Sequence, residues 1–518
     1  MDPYRSAPDA ESAAVAGDTG IVGDVIGQFA DRYAFLRELV QNAIDAGTPS
    51  VEVKLEHDGE VMRISVRDRG EGMTREIVED QLLVLFRSTK ESDRSKIGKF
   101  GIGFVSVLAP DPDVVIVQTA RDGRRLTAHL YRDLTYELFD AGAAAQHGTT
   151  VTVALRVPPD GVDEVVRASR FALDRWCRHA AVPIELAVEL PGTEPERRRI
   201  DTPLAIDDAL FEVRGGEPPL TVVVGVTGGP PHVSFFNHGL TLHETSEPLC
   251  GPVVVKIQDS RLGHTLSRDD VRRDAAFEHA IAVARQLVTD ELPRAAAAAI
   301  HEAAYAGDLA RHRKLLAACA TLPVPRWQLP VLEGTPGQRS IDAATLGKRA
   351  WTAKRASTLT AALRGTPIVH TIDPQLVQRV TGCQLVDVHE ELTLVVPQPA
   401  DELTGFVEDL LAAIGHTVTT RIANLDGACG GVLALAGKDE QAAYVVDRDT
   451  AARVPFSRLR RAPLVLSAGH ALVLSARELD PRLGASHLVR AVLLGYRMLD
   501  AERSRKLLER TFTLGVAP

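Results

Sequence analysis

The sequence lacks the features that would indicate a membrane protein or a protein stabilised by disulfide bonds. No apolar segment approaches the roughly 20 residues that a membrane-spanning helix needs, so we do not expect membrane association. The cysteines are far apart and form no C-x-x-C pair; they are Cys177, Cys250, Cys319, Cys383 and Cys429. An odd number at this spacing argues against a disulfide framework and a structural zinc site, and indicates a reducing, cytoplasmic setting.

Other motifs and charge patterns are also missing. The sequence contains no Walker A motif, no G-x-S-x-G and no H-E-x-x-H. His238, His243 and His264 lack the regular spacing of metal ligands, and we expect them to be structural or exposed. The net charge of -10 argues against a broad nucleic-acid-binding surface, although a local groove could still be basic. Nucleic acid is therefore an unlikely partner.

The length of 518 residues is too great for a single core and favours about three domains. Residues 1–20 are acidic and Ala-rich, without the basic and hydrophobic regions of a signal peptide, and are expected to form a disordered arm. The paired prolines near 158 and the Pro- and Gly-rich segment 321–340 indicate boundaries. The expected domains are 21–158, 159–335 and 336–518.

The first domain has the pattern of an α/β sandwich. Residues 36–47 have apolar side chains at helical spacing, and residues 51–66 alternate as a hairpin with Asp58-Gly59 at its turn. Further strands are predicted at 113–119, 125–131 and 149–155. A helix followed by mostly antiparallel strands suggests a sheet covered on one face by helices. The two later domains also alternate strands and helices, so the whole chain is predicted to be α/β.

Three polar motifs follow one another in the first domain. In "LRELVQNAIDAG", Glu38, Asn42 and Asp45 lie at i, i+4 and i+7, which places them on one stripe of the helix. Taken alone, this stripe also fits a solvated helix face. The second motif is "DRGEGM" at 68–73, directly after a predicted strand, and the third is "GKFGIGF" at 98–104. Glycines before a helix let backbone N–H groups approach a phosphate closely.

Together, the three motifs resemble those of the GHKL ATPase superfamily, which includes Hsp90 chaperones, type II topoisomerase ATPase subunits, MutL proteins and histidine kinases. The wording is nearest to Hsp90: "FLRELVQNAIDA", "DRGEGM" and "IGKFGIGFVSV". The resemblance covers residues 30–155 and ends with "HGTTVTV" at 147–153. It implies a Bergerat-type α/β sandwich that binds ATP with Mg²⁺, followed by an Hsp90-like α/β middle domain and a C-terminal α/β domain for dimerisation or client binding.

The resemblance also implies roles for individual residues around the nucleotide. Asn42 would give its side-chain oxygen to Mg²⁺, a cation that prefers oxygen ligands. Glu38, one turn earlier, would take a proton from the attacking water. Asp45 would support the site or its waters, and Asp68 would accept a hydrogen bond from the adenine amino group. The remaining contacts to the base would come from Gly72, which lets it approach, from Met73, which packs against it, and from Thr149, which acts through water.

The glycine-rich loop would contact the phosphates, and the preceding segment 86–97 would form a lid over ATP. The loop residues expected to bind nucleotide are Lys99, Phe100, Gly101, Ile102, Gly103 and Phe104. Two features depart from the family: Hsp90 proteins usually have an uncharged residue in place of Lys99, and the lid is shorter than theirs. A solvated surface lysine is an equally good interpretation of Lys99.

A fourth motif lies far downstream, in "DSRLGHTLSRDDVRRD" at 259–274. It resembles the middle-domain loop of Hsp90, and Arg268 matches the arginine that reaches the γ-phosphate there. A guanidinium offers several planar donors to a phosphate and stabilises charge in the transition state. A surface arginine in a charged run is the alternative interpretation.

The function that this resemblance implies is that of an ATP-dependent molecular chaperone. ATP binding would close a homodimeric clamp on protein clients, and hydrolysis would reopen it. A DNA-processing GHKL ATPase of the MutL or topoisomerase type remains an alternative, and a scaffold that binds ATP without turnover is a third. A histidine kinase fits poorly, because no phosphoacceptor segment precedes the motifs in this sequence.

Overall fold

The computed structural model divides the chain into two compact units, Met1–Leu292 and Pro293–Pro518. The described residues are 11–13, 31–83, 102–133, 135–265, 270–333, 337–458 and 461–513. Among these residues, no helix has both the length and the hydropathy that crossing a bilayer requires.

The described residues of the first unit form a sheet of nine strands in the order β1-β6-β5-β4-β7-β3-β2-β8-β9. The strands are β1 (Glu11–Ala13), β2 (Val51–His57), β3 (Val61–Asp68), β4 (Val114–Arg121), β5 (Arg124–Tyr131), β6 (Tyr136–Ala143), β7 (Gly148–Arg156), β8 (Ile184–Glu189) and β9 (Glu196–Arg199). The predicted hairpin is confirmed as β2 and β3, and the Asp58 side chain accepts hydrogen bonds from the backbone amides of Glu60 and Val61 in its turn.

Helices cover the buried face of this sheet. They are α1 (Phe35–Asp45), α2 (Arg75–Ile77, continued by the π-helical turn Val78–Leu82), α3 (Ile102–Val105, continued by the 3-10 turn Ser106–Leu108) and α4 (Val162–Trp176, preceded by the 3-10 turn Pro159–Gly161). Every second residue of β2 is buried, and those side chains share one core with the apolar face of α1. The predicted α/β sandwich is confirmed.

The sheet extends past residue 158, where the sequence suggested a boundary. β8 pairs with β2 in parallel, in a register that runs from Val51 opposite Ile184 to Glu56 opposite Glu189. The paired prolines do not separate two domains, because Pro159 opens the turn that leads directly into α4, a position where proline is well tolerated. Helix α4 then packs on α1.

The described residues that follow in the first unit form a second sheet, of five strands in the order β10-β11-β14-β12-β13. Its elements are β10 (Phe211–Gly215), β11 (Thr221–Val226), β12 (His232–Asn237), β13 (Leu240–Thr245), β14 (Val254–Gln258) and α5 (Ala275–Gln286), with the π-helical turn Leu287–Glu291 after it. The segment "VSFFNHGLTLHE" forms the antiparallel pair β12 and β13. A Cβ atom at Gly239, in their turn, would lie 1.6 Å from the His179 carbonyl oxygen.

The described residues of the second unit contain two five-stranded sheets, β16-β15-β18-β17-β19 and β22-β24-β21-β20-β23. The strands are β15 (Gln328–Glu333), β16 (Ser340–Asp342), β17 (Arg349–Thr352), β18 (Ile368–Val369), β19 (Gln384–Asp387), β20 (Leu392–Pro397), β21 (Thr420–Gly427), β22 (Ala434–Ala436), β23 (Tyr444–Asp447) and β24 (Leu464–Ser467). β15 lies within the Pro- and Gly-rich segment 321–340 that was expected to be a linker, and Leu329 is fully buried there.

Helices of the second unit pack around these sheets, and α6 begins at the boundary between the units. They are α6 (Leu292–Ala306), α7 (Leu309–Ala318), α8 (Thr358–Ala362), α9 (Pro374–Thr381), α10 (Val388–Glu391), α11 (Glu402–Ala413), α12 (Arg448–Ala451), α13 (Ala471–Glu478), α14 (Pro481–Gly495) and α15 (Ala501–Thr513); a 3-10 turn spans Ala343–Thr345. Buried side chains of α11 and α14 share a core with β21 and β24.

Candidate active site

A cavity of about 170 Å³ lies between α1, the carboxyl end of β3 and α2. Its polar lining comes from Asn42, Asp68, Gln81 and Thr149, and the other lining residues are Leu39, Ala43, Ala46, Val66, Gly72, Met73, Ile77, Leu82, Phe104 and Val151. Apolar walls with a few convergent polar groups are the usual composition of a small-molecule site.

Helix α1 contributes Asn42 to this cavity because its opposite face is buried. Leu36 and Val40 are fully inaccessible in the core, which turns the polar stripe outward. Of the three residues of the stripe, Asn42 is the one that lines the described cavity. Glu38 is half-buried and Asp45 is exposed, and neither is among the described residues that line the cavity. The Asp45 carboxylate instead accepts a hydrogen bond of 2.9 Å from the Gln41 side-chain amide.

Asp68 is held at the end of β3 by two backbone donors. Its Oδ1 atom accepts hydrogen bonds from the amides of Gly70 (2.8 Å) and Thr149 (3.2 Å). Burial raises the pKa of this carboxyl, although both hydrogen bonds favour the ionised form. Within the described part of the chain, both bonds end on Oδ1, so Oδ2 is available to a donor in the cavity.

Thr119, which the sequence analysis did not identify, connects the two polar segments behind the cavity. Its hydroxyl accepts a hydrogen bond of 2.8 Å from the Met73 amide and lies 3.1 Å from the Thr149 hydroxyl. Thr119 on β4 is directly opposite Thr149 on β7. Only the pairing of these two strands places Thr119 in the site.

Arg121, two residues further along β4, is also absent from the sequence-based prediction. Its guanidinium donates to the Gly72 carbonyl oxygen at 3.4 Å and lies 3.2 Å from the Glu71 carboxylate. Arg121 therefore holds the segment 68–73 from the outside, and strand alternation on β4 is the signal that could have found it.

The glycines of "DRGEGM" are required by close backbone packing. Gly72 has a positive φ of 69°, and a Cβ atom there would lie 2.1 Å from the Ala120 carbonyl oxygen. At Gly70, a Cβ atom would lie 2.6 Å from the Ala46 carbonyl oxygen, at the end of α1. Close backbone packing therefore explains why glycine occupies both positions. The expected approach of a base at Gly72 stays a prediction.

The third motif is described only in part. Lys99, Phe100 and Gly101 lie outside the described residues, as does the segment 86–97. Ile102 begins α3, and the Gly103 carbonyl accepts a hydrogen bond of 2.5 Å from the Ser106 hydroxyl. Phe104 is buried and lines the cavity.

Arg268 also lies outside the described residues, but both ends of its segment are described. Backbone hydrogen bonds from Thr265 to Asp270 (2.9 Å) and from Arg272 to Gly263 (2.7 Å) pair residues 263–265 with residues 270–272. We call these two paired ends, 263–265 and 270–272, the 263–272 hairpin.

The 263–272 hairpin is attached to α1. His264 Nε2 is in hydrogen-bond contact with the guanidinium of Arg37, which precedes Glu38. The Arg37 guanidinium also lies 5.4 Å from the centre of the Trp176 ring, a cation–π contact at the end of α4. His264 thus has a structural role, as expected, in a contact to the helix that carries the first motif.

The strand before the hairpin is followed by an ion pair between a buried carboxylate and a half-exposed guanidinium. Asp259 is fully buried, and its carboxylate receives the Arg261 guanidinium at 2.6 Å. Burial opposes ionisation of Asp259, but the hydrogen bonds from Arg261 outweigh burial and lower its pKa. This pair fixes the backbone that leads into the hairpin.

The side-chain oxygen atoms that line the cavity fit a magnesium ion that is bound together with phosphates. Within the described residues, no group of three or more His, Cys, Asp or Glu side chains could hold a metal ion by itself. Mg²⁺ in nucleotide sites is bound by one or two protein oxygens together with phosphate oxygens and water. The exposed Asn42 amide at the cavity wall suits that arrangement.

Comparison with known proteins places this geometry in a class. Residues 34–140 match the sequence model of the histidine kinase-, DNA gyrase B- and HSP90-like ATPases. The matched region contains α1, β2, β3 and the motif "DRGEGM". Residues 34–140 are therefore similar to the ATPase domains of the GHKL superfamily.

Within that superfamily, the chain is similar to HSP90-like chaperones. It is 30% identical over 195 residues to the chaperone protein HtpG of Burkholderia lata, covering 31% of this chain and 30% of that protein. It is 30% identical over 203 residues to HtpG of Salinispora tropica (32% and 31%) and 30% identical over 198 residues to HtpG of Cupriavidus taiwanensis (32% and 31%). The match thus spans about a third of the length of these curated relatives.

Proposed function

We propose that this chain is an Hsp90-like, ATP-dependent molecular chaperone that binds and hydrolyses ATP with Mg²⁺. The strongest support is that the Asn42 amide and the Asp68 carboxylate line the same cavity. These residues come from two motifs 26 positions apart in sequence (68 − 42), and they meet in a region that matches a GHKL ATPase family.

Adenine occupies the inner end of the cavity in this proposal. Asp68 Oδ2 accepts a hydrogen bond from the adenine amino group, while its Oδ1 is held by the Gly70 and Thr149 amides. Met73, fixed through its amide by Thr119, packs against the base. A carboxylate in this position selects a base that presents an amino group, and guanine, with a carbonyl there, is disfavoured.

The phosphates lie towards Asn42 and the glycine-rich motif. Asn42 holds Mg²⁺ through its side-chain oxygen, and the ion neutralises negative charge on the phosphate oxygens when bound. Lys99, Phe100, Gly101, Ile102 and Gly103 follow the phosphate chain, and Phe104 closes the apolar wall. Asp45 has an outer role at most, because its carboxylate is exposed and bonded to Gln41.

Hydrolysis requires a base and a charge-stabilising cation. Glu38, one helical turn before Asn42 on α1, takes the proton from the water that attacks the γ-phosphate. Arg268, which lies in sequence between the two ends of the 263–272 hairpin, donates to the γ-phosphate as negative charge develops. The contact of His264 with Arg37 supports this assignment, because it holds the base of that hairpin on α1.

The chaperone cycle completes the proposal. Two copies of the chain form a homodimeric clamp in the cytoplasm, ATP binding favours its closed state around a client protein, and hydrolysis returns it to the open state. Nucleotide drives this cycle only by binding one state more tightly than the other. The HtpG relatives, which are named as chaperones, support a protein client.

Steady-state ATP turnover with calorimetric ATP binding tests the enzymatic part. We expect Glu38→Ala to bind ATP as the wild type does and to lose turnover by a factor of about 100 or more, the usual contribution of a general base. Glu76→Ala is the matched control, because Glu76 is an exposed carboxylate on the neighbouring helix α2 and lies outside the cavity lining. Equal turnover in wild type and Glu38→Ala would refute the assignment.

Two further measurements address the clamp. Sedimentation should show a dimer, and cross-linking between protomers should increase when a non-hydrolysable ATP analogue is added. The protein should also suppress aggregation of a heat-denatured model enzyme in an ATP-dependent manner. A monomer that leaves aggregation unchanged would contradict the chaperone proposal and leave an ATPase of another GHKL type.

A further inference from the structure

A chain of three side chains in the second unit has the connectivity of a hydrolase active site. The Ser357 hydroxyl lies 3.0 Å from His389 Nε2, and His389 Nδ1 lies 3.2 Å from the Asp387 carboxylate. The three residues line one cavity of about 540 Å³. This volume falls within the range of roughly 300–1,000 Å³ that small-molecule sites occupy.

The neutral tautomer of His389 with its proton on Nδ1 satisfies both hydrogen bonds of this triad. An ionised carboxylate only accepts, so His389 donates Nδ1–H to Asp387 and Nε2 is left as an acceptor. The Ser357 hydroxyl therefore donates to Nε2, which is the arrangement that lets histidine remove the hydroxyl proton. All three side chains are half-buried, so the hydroxyl is accessible from the cavity.

The topology explains why these residues meet. β17 and β19 are neighbouring parallel strands, and Thr352 at the end of β17 is opposite Asp387 at the end of β19. The chain after β17 leads to Ser357, and the chain after β19 leads to His389. Crevices outside the carboxyl ends of parallel strands are the general location of ligand sites in α/β sheets.

Ser357 and Asp387, the two outer members of this triad, also cap short helices. The Ser357 hydroxyl accepts a hydrogen bond of 3.2 Å from the Thr360 amide, and the Asp387 carboxylate accepts one of 2.9 Å from the His389 amide. Capping uses acceptor lone pairs and leaves the Ser357 hydroxyl proton directed at His389. A helix cap makes no use of a histidine between serine and aspartate. A serine nucleophile of the Ser-His-Asp type needs the histidine as its base.

Two cations on the loop between β17 and Ser357 indicate the substrate. Lys354 and Arg355 are exposed and line the same cavity. Within the described residues, neither forms an ion pair, and the one further acid of the lining, Asp426, accepts a hydrogen bond of 2.7 Å from the Thr358 hydroxyl. Two unpaired cations beside a nucleophile favour a substrate with a negative charge.

We propose that Ser357, His389 and Asp387 form a nucleophilic acyl-transfer site for small anionic esters, independent of the ATP site. His389 takes the Ser357 proton while the Ser357 oxygen bonds to the ester carbonyl carbon. The bond from that carbon to the alcohol oxygen then breaks, and the alcohol leaves with the proton from His389. Water, deprotonated by His389, attacks the acyl-serine, so a carboxylic acid is released and the Ser357 hydroxyl is restored.

Labelling of the full-length protein with a fluorophosphonate, mapped by peptide mass spectrometry, tests the nucleophile. We expect label on Ser357, no label in Ser357→Asn, and labelling slowed about 100-fold in His389→Gln, the usual contribution of a general base. Ser357→Asn keeps a good helix cap, so we expect this variant to stay folded, with an unfolding midpoint close to that of the wild type. Thr358→Ala removes the neighbouring hydroxyl and should be labelled at the wild-type rate.

Asp387→Asn separates catalysis from capping. Asparagine caps a helix as well as aspartate does, but it no longer holds the imidazole in the required tautomer. We expect an unchanged unfolding midpoint and labelling slowed by about 100-fold or more. An unlabelled Ser357 in the native protein, or a labelling rate insensitive to His389→Gln, would show that the serine is a cap and overturn the proposal.

Hydrolysis of 4-nitrophenyl acetate and of the singly charged 4-nitrophenyl succinate tests the substrate class. The succinate ester should be preferred about fivefold, the free-energy scale of an exposed ion pair. The preference should disappear in Lys354→Ala combined with Arg355→Ala, while labelling of Ser357 continues. Equal rates of hydrolysis of the two esters by the wild type would overturn the proposed specificity for anionic substrates.

Discussion

Arg37 and His264 join α1 to the 263–272 hairpin through contact between the guanidinium and the imidazole Nε2 atom. The two residues are 227 positions apart, and each is close in sequence to a residue proposed for catalysis, Glu38 or Arg268. The contact therefore joins the helix that carries the proposed base to the segment whose sequence contains the proposed arginine.

Loss of this contact should impair turnover more than binding. In His264→Ala the hairpin keeps its backbone bonds but loses its attachment to Arg37, so Arg268 is less well positioned. We expect kcat to fall about tenfold, because small displacements of a positioned group slow catalysis strongly, with KM for ATP nearly unchanged. Steady-state kinetics measure both constants.

Arg175→Ala serves as the control for His264→Ala. The Arg175 guanidinium lies 4.6 Å from the centre of the Trp176 ring, and the Arg37 guanidinium lies 5.4 Å from the same centre. Its removal changes the charge near Trp176 without removing the hairpin contact. An equal loss of kcat in both variants would show that the Trp176 cluster, and not the attachment, matters.

Gly72→Ala should destabilise the ATPase domain and weaken nucleotide binding. The added Cβ atom meets the Ala120 carbonyl oxygen at 2.1 Å, and the positive φ of 69° is unfavourable for alanine. Gly123→Ala is the matched control, because Gly123 has a φ of 78° and nothing within 4 Å of the new Cβ atom. We expect the control to cost about 1 kcal/mol and Gly72→Ala about 2–3 kcal/mol more, measured by urea unfolding.

Asp68→Asn should remove adenine recognition without unfolding the domain. The asparagine oxygen can still accept hydrogen bonds from the Gly70 and Thr149 amides. Burying a neutral amide also costs less free energy than burying the carboxylate, whose pKa is raised by burial. We expect ATP affinity to fall about 10- to 100-fold, the range for a lost hydrogen bond to a charged group. Unchanged affinity by calorimetry would place adenine elsewhere.

Much of the ATPase domain follows from local patterns in the sequence. The α1 face, the β2–β3 hairpin and the strand end at Asp68 each depend on residues that are close in sequence, and periodicity and turn residues report such features well. Asn42, Asp68 and Thr149 were predicted as site residues, and the structure brings them to one cavity. Their roles towards ATP stay predictions.

The features that the sequence did not reveal depend on distant pairing. Thr119 joins the site only because β4 is opposite β7, and β8 extends the first sheet only because it pairs with β2. The contact between Arg37 and His264 spans two regions assigned to different domains. Ser357 and His389 have no motif in sequence, since parallel neighbours β17 and β19 bring them together.

A buried histidine should make the stability of the first unit depend on pH. His179 Nε2 lies 2.9 Å from the Lys256 ammonium, and its Nδ1 lies 3.1 Å from the Thr202 carbonyl oxygen. Since an ammonium only donates, Nε2 accepts and the imidazole is neutral. Burial, followed by the Lys256 charge, lowers the pKa of His179 below its ordinary 6.5.

The unfolded chain therefore takes up this proton before the folded chain as the pH falls. The stability contributed by neutral His179 is fully present above pH 6.5 and is lost as the pH falls from 6.5 towards the lower folded pKa. Wild-type melting temperatures should fall across this range, and His179→Gln should reduce the slope. Burial also lowers the pKa of His129 in the same unit, so the slope should shrink without vanishing. An unchanged slope in His179→Gln would contradict the assigned tautomer.

The most direct test of the ATPase proposal is turnover by Arg268→Ala beside Arg272→Ala, with ATP binding measured for both. Arg272 belongs to the same hairpin, and its exposed side chain pairs with Asp274 at 2.7 Å, so its loss changes the local charge equally. We predict normal ATP binding in both variants and turnover reduced about 1,000-fold only in Arg268→Ala, the scale of an arginine acting on a transferred phosphate. Wild-type turnover in Arg268→Ala would contradict a site completed by the 263–272 hairpin.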